Sequence, residues 1–319
     1  MKKIIITGAS GFIGSNLLEK FIDNGYDVLN IDFQRPKNKD FVKHWKNIDI
    51  TNFIQFESEV NSFDPDYIVH LAARTDLSGL AINDYTANTN GVENLMTISK
   101  KLSTLKKVLI TSSMLVCRPG YYPKNQLDFN PSTIYGQSKV ITEKNVWANT
   151  PSCDWAIIRP SSIWGPEFDI PYKTFFDMIR HKKYFHIGDR GCTKTYGYVE
   201  NVNYQIERIL FTDTTEEINK VYNLGDYEPT NIEVWANQIG SQLGYGIKKA
   251  PYFLIQCSAF VGDFLGWFKI NFPINSFRLK NMTTNNILDM SETKKIAPNL
   301  PFDRVNSIKR TLEWLNRIN

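Results

Sequence analysis

Residues 2–14 read Lys2-Lys3-Ile4-Ile5-Ile6-Thr7-Gly8-Ala9-Ser10-Gly11-Phe12-Ile13-Gly14, and they decide the fold. A short apolar run ends in a GxxGxxG turn, after which Gly14 and the residues up to 24 carry a helical pattern. Missing side chains let backbone N–H groups approach a pyrophosphate, and the helix N-terminus adds partial positive charge. An acid, Asp32, closes the next apolar run eighteen residues beyond Gly14. Strand, glycine turn, helix and terminal acid together predict a dinucleotide-binding βαβ unit, with Gly8, Gly11, Phe12, Ile13 and Gly14 as its phosphate turn. A carboxylate at Asp32 suits ribose hydroxyls and repels a 2′-phosphate, favouring NAD. Arg35 nearby keeps NADP as the alternative.

Working outward, candidate strands lie at residues 2–7, 27–32, 67–73, 107–112 and 155–159, with helical patterns at 14–24, 51–60, 82–101 and 132–148. This rhythm predicts an α/β fold, a Rossmann-type doubly wound parallel sheet. It weakens after Gly165-Pro166. Residues 1–165 are expected to form the NAD-binding Rossmann domain, rejoined by about 196–224. Residues 166–319 are expected to form mainly a smaller C-terminal substrate-binding domain, with helices at 231–243 and 306–317. Tyr196–Leu210 reads as a strand and helix able to return to the first sheet.

The catalytic pattern is Tyr135 and Lys139, a YxxxK pair on one helical face. A phenol is a poor base at neutral pH. A neighbouring ammonium and the positive charge of oxidised nicotinamide are expected to stabilise its phenolate. The fourth strand ends in Thr111-Ser112-Ser113, where hydroxyls face the ligand crevice of a parallel sheet. Ser113 is the candidate to hold the reacting oxygen beside Tyr135, with Ser112 as fallback.

Composition narrows the function classes. The net charge is +4 over 319 residues, with no run of Lys and Arg interleaved with aromatics, so nucleic-acid binding is not expected. Cys117, Cys153, Cys192 and Cys257 have neither CxxC nor Cys/His spacing, so no metal site is expected, and scattered thiols suit a reducing cytosol. The apolar strand at the start of the chain leaves no room for a signal peptide, so a cytoplasmic location is expected. Residues 251–270 are apolar but interrupted by Gln256, Asp263 and Lys269. They read as an aromatic-rich piece of the C-terminal domain, with an oligomer or membrane-surface contact as the alternatives, and not as an integral membrane segment.

Together these motifs resemble the extended short-chain dehydrogenase/reductase family, particularly its NAD-dependent epimerase/dehydratase branch. The resemblance also rests on the Asp49-Ile50 pair, HLAAR at 70–74, NTNG at 88–91, IIRPSSIWGP at 157–166, YVENV at 198–202 and Thr311-Leu312-Glu313-Trp314-Leu315. It implies that Asp49 and Ile50 meet adenine, and that Leu71, Ala72, Ala73 and Asn88 line the dinucleotide. Pro160 should sit by the nicotinamide, and His70 should be structural. It also implies a homodimer through the helices at about 82–101 and 132–148.

Met114-Leu115 stands where sugar dehydratases carry Asp-Glu, which argues against water elimination. Cys117 is a weaker candidate for an epimerisation base than for a packed thiol. In the segment 188–201, Lys194 replaces the family's usual Arg. It joins Arg278 as a candidate for a substrate diphosphate, with Ser162 as a further substrate contact.

The leading reading is a nucleotide-sugar epimerase acting at C4 through a transient 4-keto sugar. The alternative is an NAD(P)-dependent oxidoreductase, either a 4-keto-sugar reductase or an enzyme like 3β-hydroxysteroid dehydrogenase. A non-catalytic dinucleotide sensor would have no need of Ser113, Tyr135 and Lys139.

Overall fold

The computed structural model describes residues 1–212, 221–268, 270, 272 and 275–318. Residues 213–220, inside the segment expected to rejoin the first domain, lie outside the described residues, as does Lys269. Six strands in the first half are β1 (Lys3–Thr7), β2 (Asp27–Asp32), β3 (Trp45–Asn47), β4 (Tyr67–His70), β5 (Lys107–Thr111) and β6 (Asp154–Pro160). Alternating with them are α1 (Phe12–Asp23), α2 (Phe53–Phe63), α3 (Thr86–Ser99) and α4 (Ile134–Ala148). With Val221–Leu224 the strands form one seven-stranded parallel sheet, ordered β3, β2, β1, β4, β5, β6 and then Val221–Leu224. The Rossmann-type α/β sheet expected from the sequence is therefore present.

The chain runs outward from β1 through β2 to β3, then crosses back to β4 on the other side of β1. That reversal leaves a crevice at the carboxyl ends of β1 and β4, where ligands of such sheets bind. Ile4, Ile5 and Ile6 are fully buried because both sheet faces are covered. Ile4 and Ile6 join Leu17, Leu18 and Phe21 of α1 in one core layer. Ile5 joins Phe56 and Val60 of α2 and Leu95 of α3 in the other.

The first core layer continues without a break into the second half. It takes in Trp164, Tyr196, Trp235 and Ile308 along with Ile4 and Leu17. The expected helices at 231–243 and 306–317 appear as Ile232–Gln242 and Arg304–Arg317. The sheet is rejoined at the far end of the segment 196–224 and not by the strand expected at its start. Tyr196–Tyr198 pairs with Ser162–Trp164 in a separate two-stranded sheet, and it is Val221–Leu224 that lies against β6. The following helix Val199–Leu210 does return, closing over α1 through Lys20 and Glu207 at 3.0 Å.

Gly8 fixes the crevice. Its φ is +76°, and a Cβ there would lie 2.6 Å from the Ala72 backbone nitrogen. Next to it, the Leu71 N–H donates to the Thr7 carbonyl at 3.0 Å, so neither segment can retreat freely. We expect Gly8→Ala to lower unfolding stability by about 2–4 kcal/mol, from the left-handed conformation and the clash together. Urea denaturation measures this, and a loss below about 1 kcal/mol would mean the turn can shift to admit a methyl group.

Candidate active site

The glycines of the turn have separate tasks. A Cβ on Gly14 would lie 2.5 Å from the Gly8 carbonyl oxygen, so Gly14 lets α1 pack on the turn. A Cβ on Gly11 would meet only that same oxygen, at 3.3 Å, and Gly11 is exposed with no side chain capping α1. The helix N-terminus is thus open to an anion, with Phe12 and Ile13 half-buried behind it. At the end of β2 the Asp32 carboxylate accepts from the Ser10 N–H at 3.0 Å and the Gln34 N–H at 2.9 Å. Burial pushes Asp32 upward while these two bonds pull it down. Each oxygen keeps a further lone pair for a ribose hydroxyl. An open glycine cradle with a carboxylate tied to its rim fits a dinucleotide.

The adenine candidates separate. Asp49 is exposed, its carboxylate accepting from the Thr51 N–H and hydroxyl at 2.9 and 2.8 Å, while Ile50 is buried against Gly91. Leu71, Ala72 and Ala73 line the crevice half-buried. Asn88, expected to line the dinucleotide, is held by the protein itself. It is fully buried, donating to the Arg74 carbonyl at 3.0 Å and Ser138 Oγ at 2.9 Å while accepting from the Arg74 N–H at 2.8 Å. Both amide hydrogens are spent, so Asn88 clamps the 71–74 segment onto α4 from behind. His70 is structural: its Nδ1 meets Thr7 Oγ1 at 2.8 Å, and burial pushes it down to about 3, hence neutral.

Ser113, Tyr135 and Lys139 come together. Thr133 caps α4 by accepting the Gly136 N–H at 3.0 Å, which sets Tyr135 in the first turn and Lys139 one turn later. Ser113 lies close enough to the Tyr135 phenol to pull its pKa down. Ser112, the fallback, is turned away and donates to Glu143 at 2.5 Å. The Lys139 ammonium donates to the Thr111 carbonyl at 2.8 Å.

Burial acts on both members of the Tyr135–Lys139 pair. Burial pushes Tyr135 up to about 12, and Ser113 pulls only part of the way back. Burial also pushes Lys139 down to about 7, opposed by the Glu143 carboxylate. The surroundings of the phenol thus favour its protonated form, and a positive charge placed beside it would act in the opposite direction.

Two residues outside the expected set support this cluster. Glu143 is fully buried and accepts from Arg159 Nε at 2.7 Å and Nη2 at 2.6 Å. Glu143 extends the series Tyr135, Lys139, Glu143 by one more helical turn, and Arg159 lies in the IIRPSS stretch. A carboxylate at that helical spacing is the signal that could have found it. Pro160 ends β6 at the same edge.

The substrate candidates lie beyond. Ser162 lies beside Tyr172, whose phenol burial pushes up to about 12 against the pull of the Ser162 hydroxyl. Lys194 is half-buried and donates to the Asn281 carbonyl at 2.6 Å, on the helix Ser276–Thr283 that carries Arg278. The chain then reaches Asn286, whose amide meets Met114 Sδ at 3.5 Å beside Ser113. Cys117 donates to the Asp128 carbonyl at 3.4 Å, and burial raises its thiol, as for a packed cysteine. Among the described residues no cluster of three or more His, Cys, Asp or Glu could hold a metal ion.

Residues 4–225 match the model of the NAD dependent epimerase/dehydratase family. The chain is 27% identical to UDP-glucose 4-epimerase of Mycolicibacterium smegmatis, over 63% of this chain and 70% of that one. It is 24% identical to N-acetyl-alpha-D-glucosaminyl-diphospho-ditrans,octacis-undecaprenol 4-epimerase of Escherichia coli O157:H7, over 98% and 94% of the two chains. The structure of Thermotoga maritima UDP-glucose 4-epimerase with UDP-glucose superposes with a TM-score of 0.74 at 21% identity, covering 99% of each chain.

Glu143→Ala leaves the Arg159 guanidinium buried without its partner. We expect a loss of about 3–5 kcal/mol in unfolding stability, the usual cost of breaking a buried pair from one side. Denaturant titration tests this, and a cost near zero would mean that water or Gln126, whose carbonyl Arg159 already meets at 2.7 Å, can replace the carboxylate.

Proposed function

Because the chain belongs to the NAD-dependent epimerase/dehydratase family, we propose that it inverts a secondary alcohol on a sugar carried by a nucleotide, at C4. The observation that carries this reading is the buried Ser113–Tyr135–Lys139 cluster at the carboxyl end of β5, across the sheet from the glycine turn. NAD bound along Gly8–Gly14, Asp32, Ile50 and Leu71–Ala73 would accept hydride from the sugar and later return it. Tyr135 takes the hydroxyl proton as the alcohol becomes a ketone and gives it back when the ketone is reduced. Ser113 holds the same oxygen, and Lys139 supplies positive charge beside the phenol. Met114 and Leu115, in place of an acidic pair, leave no acid–base couple for expelling water. The 4-keto sugar would turn over within the site and present its other face, so no net oxidation follows.

The cytoplasmic location and the homodimer belong to the same reading. A dimer through α3 and α4 would join polar surfaces, with Ile141 set among the exposed Asn90, Glu93, Gln137 and Lys144. A second substrate reading is a sugar carried on a lipid diphosphate, as the name of the E. coli relative describes for that enzyme. The exposed apolar helix Tyr252–Trp267, one helix away from Lys194, favours it.

Denaturing the purified protein should release stoichiometric NAD, and UDP-, GDP-, dTDP- or CDP-sugars should interconvert with their epimers without added cofactor. An empty protein that turns over only with stoichiometric NAD(P)H or NAD(P) would instead identify the oxidoreductase. Tyr135→Phe should reduce turnover by at least about 10²–10⁴-fold, the usual contribution of one positioned acid–base group, while dinucleotide content is unchanged. Undiminished turnover in that variant would remove Tyr135 from the mechanism.

A further inference from the structure

Helix Tyr252–Trp267 has one face too many for a globular fold. Ile255, Ala259 and Gly262 are buried, and Ile255 and Ala259 pack with Ile187 and with Leu279 of the helix Ser276–Thr283. The other side of the helix is apolar as well. Phe253, Phe260, Phe264, Trp267 and Phe268 are all more than half exposed, Trp267 by 84%. Scattered exposed apolar residues need no explanation, but a contiguous aromatic stripe marks a docking face.

Charge identifies what the stripe meets. Residues 248–283 contain Lys248, Lys249, Lys269, Arg278 and Lys280 against one acid, Asp263, a surplus of four. That equals the net charge of the whole chain, so the rest of the sequence is balanced. Lys249 meets Asp189, from outside the segment, at 2.8 Å. Asp263 accepts from the Ser276 N–H at 3.1 Å and its hydroxyl at 2.5 Å, tying the one acid to the next helix. A second copy seated on this stripe would set two positive segments against each other. An anionic lipid surface satisfies both the aromatics and the cations.

Length fixes the manner of contact. Sixteen residues span about 24 Å, short of a bilayer crossing, which needs about 20 apolar residues. Among the described residues no helix is long and apolar enough to cross a membrane. We propose that helix Tyr252–Trp267 lies in the plane of an anionic bilayer, with Phe253, Phe260, Phe264 and Trp267 at the boundary between headgroups and acyl chains. The helix Ser276–Thr283 links this surface to Lys194 and Asn286, and Asn286 to Met114 beside Ser113. A sugar diphosphate held by a lipid would therefore enter from the docked side. That last step rests on the epimerase reading, whereas the docking does not.

The test is co-sedimentation of the full chain with phosphatidylcholine vesicles, with and without about 30 mol% phosphatidylglycerol, which makes the surface strongly negative. The protein should pellet with the anionic vesicles, and binding should weaken at least about tenfold without phosphatidylglycerol or in high salt. Phe260→Ser with Phe264→Ser and Trp267→Ser should weaken binding by a similar factor, while circular dichroism and NAD content stay unchanged. Lys280→Glu, which alters no apolar contact, should weaken it less but in the same direction. Failure of the wild type to pellet with anionic vesicles would overturn the proposal. So would undiminished binding by the triple variant, or a wild-type dimer that those substitutions convert to monomer. None of these readouts needs turnover, so they stand or fall apart from the epimerase reading.

Discussion

The arrangement at the site depends on one buried carboxylate. Glu143 cannot be left alone in a protein interior, where an unpaired charge is strongly disfavoured. Its partners come from two neighbouring strands: Ser112 follows β5, and Arg159 lies in β6. Satisfying one side chain therefore fixes α4 against the carboxyl ends of both strands. Tyr135 and Lys139, two turns and one turn earlier on the same helix, are carried into register with Ser113 and the Thr111 carbonyl. A buried ion pair is a poor source of net stability, since desolvation offsets its attraction. Here its value is geometric.

The same carboxylate has an electrostatic consequence. Lys139 is fully buried, and burial alone would favour the neutral amine. Glu143 opposes that, and the Thr111 carbonyl accepts one of the ammonium hydrogens. Tyr135 has no comparable help from the protein beyond the Ser113 hydroxyl, and it stays strongly raised. The two groups thus sit on opposite sides of balance, an ammonium held marginally and a phenol held firmly. The positive charge of an oxidised nicotinamide, were one bound along the glycine turn, would oppose the effect of burial at the phenol.

Much of this was legible in the sequence because it is local. The glycine turn, Asp32 and YxxxK each act within one βαβ unit or one helical turn, where spacing and geometry correspond directly. The seventh strand was not legible, since Val221–Leu224 has only four residues and pairs with β6 more than sixty positions earlier. β3 is three residues long and carries only partly buried or exposed side chains, so no apolar run announced it. The Glu143–Arg159 pair is sixteen residues apart across a helix and a strand, a relation that no periodicity encodes. Asn88 shows the same limit: its amide is bonded to Arg74 and Ser138, partners fourteen and fifty positions away that no local pattern indicates.

The second half resisted reading for a different reason. Apart from Val221–Leu224, its strands among the described residues are two or three residues long and paired at long range, as Thr193–Lys194 is with Thr230–Asn231 and His186–Ile187 with Lys249–Ala250. Its longest helix, Tyr252–Trp267, is apolar on both sides, so the amphipathic contrast that identifies a surface helix is absent. A helix of that kind is ordinarily surrounded by protein, yet here only one stripe of it is covered. The missing contrast that obscured it in the sequence is therefore informative once the fold is known. The outer faces of α3 and α4 carry polar residues such as Asn90, Glu93, Gln137 and Lys144, whereas this face carries Phe260, Phe264 and Trp267. Among the described residues Phe260, Phe264 and Trp267 are left exposed, and the stretch of sequence that holds them carries a positive surplus as large as that of the whole chain, two features that together suit an anionic, apolar boundary.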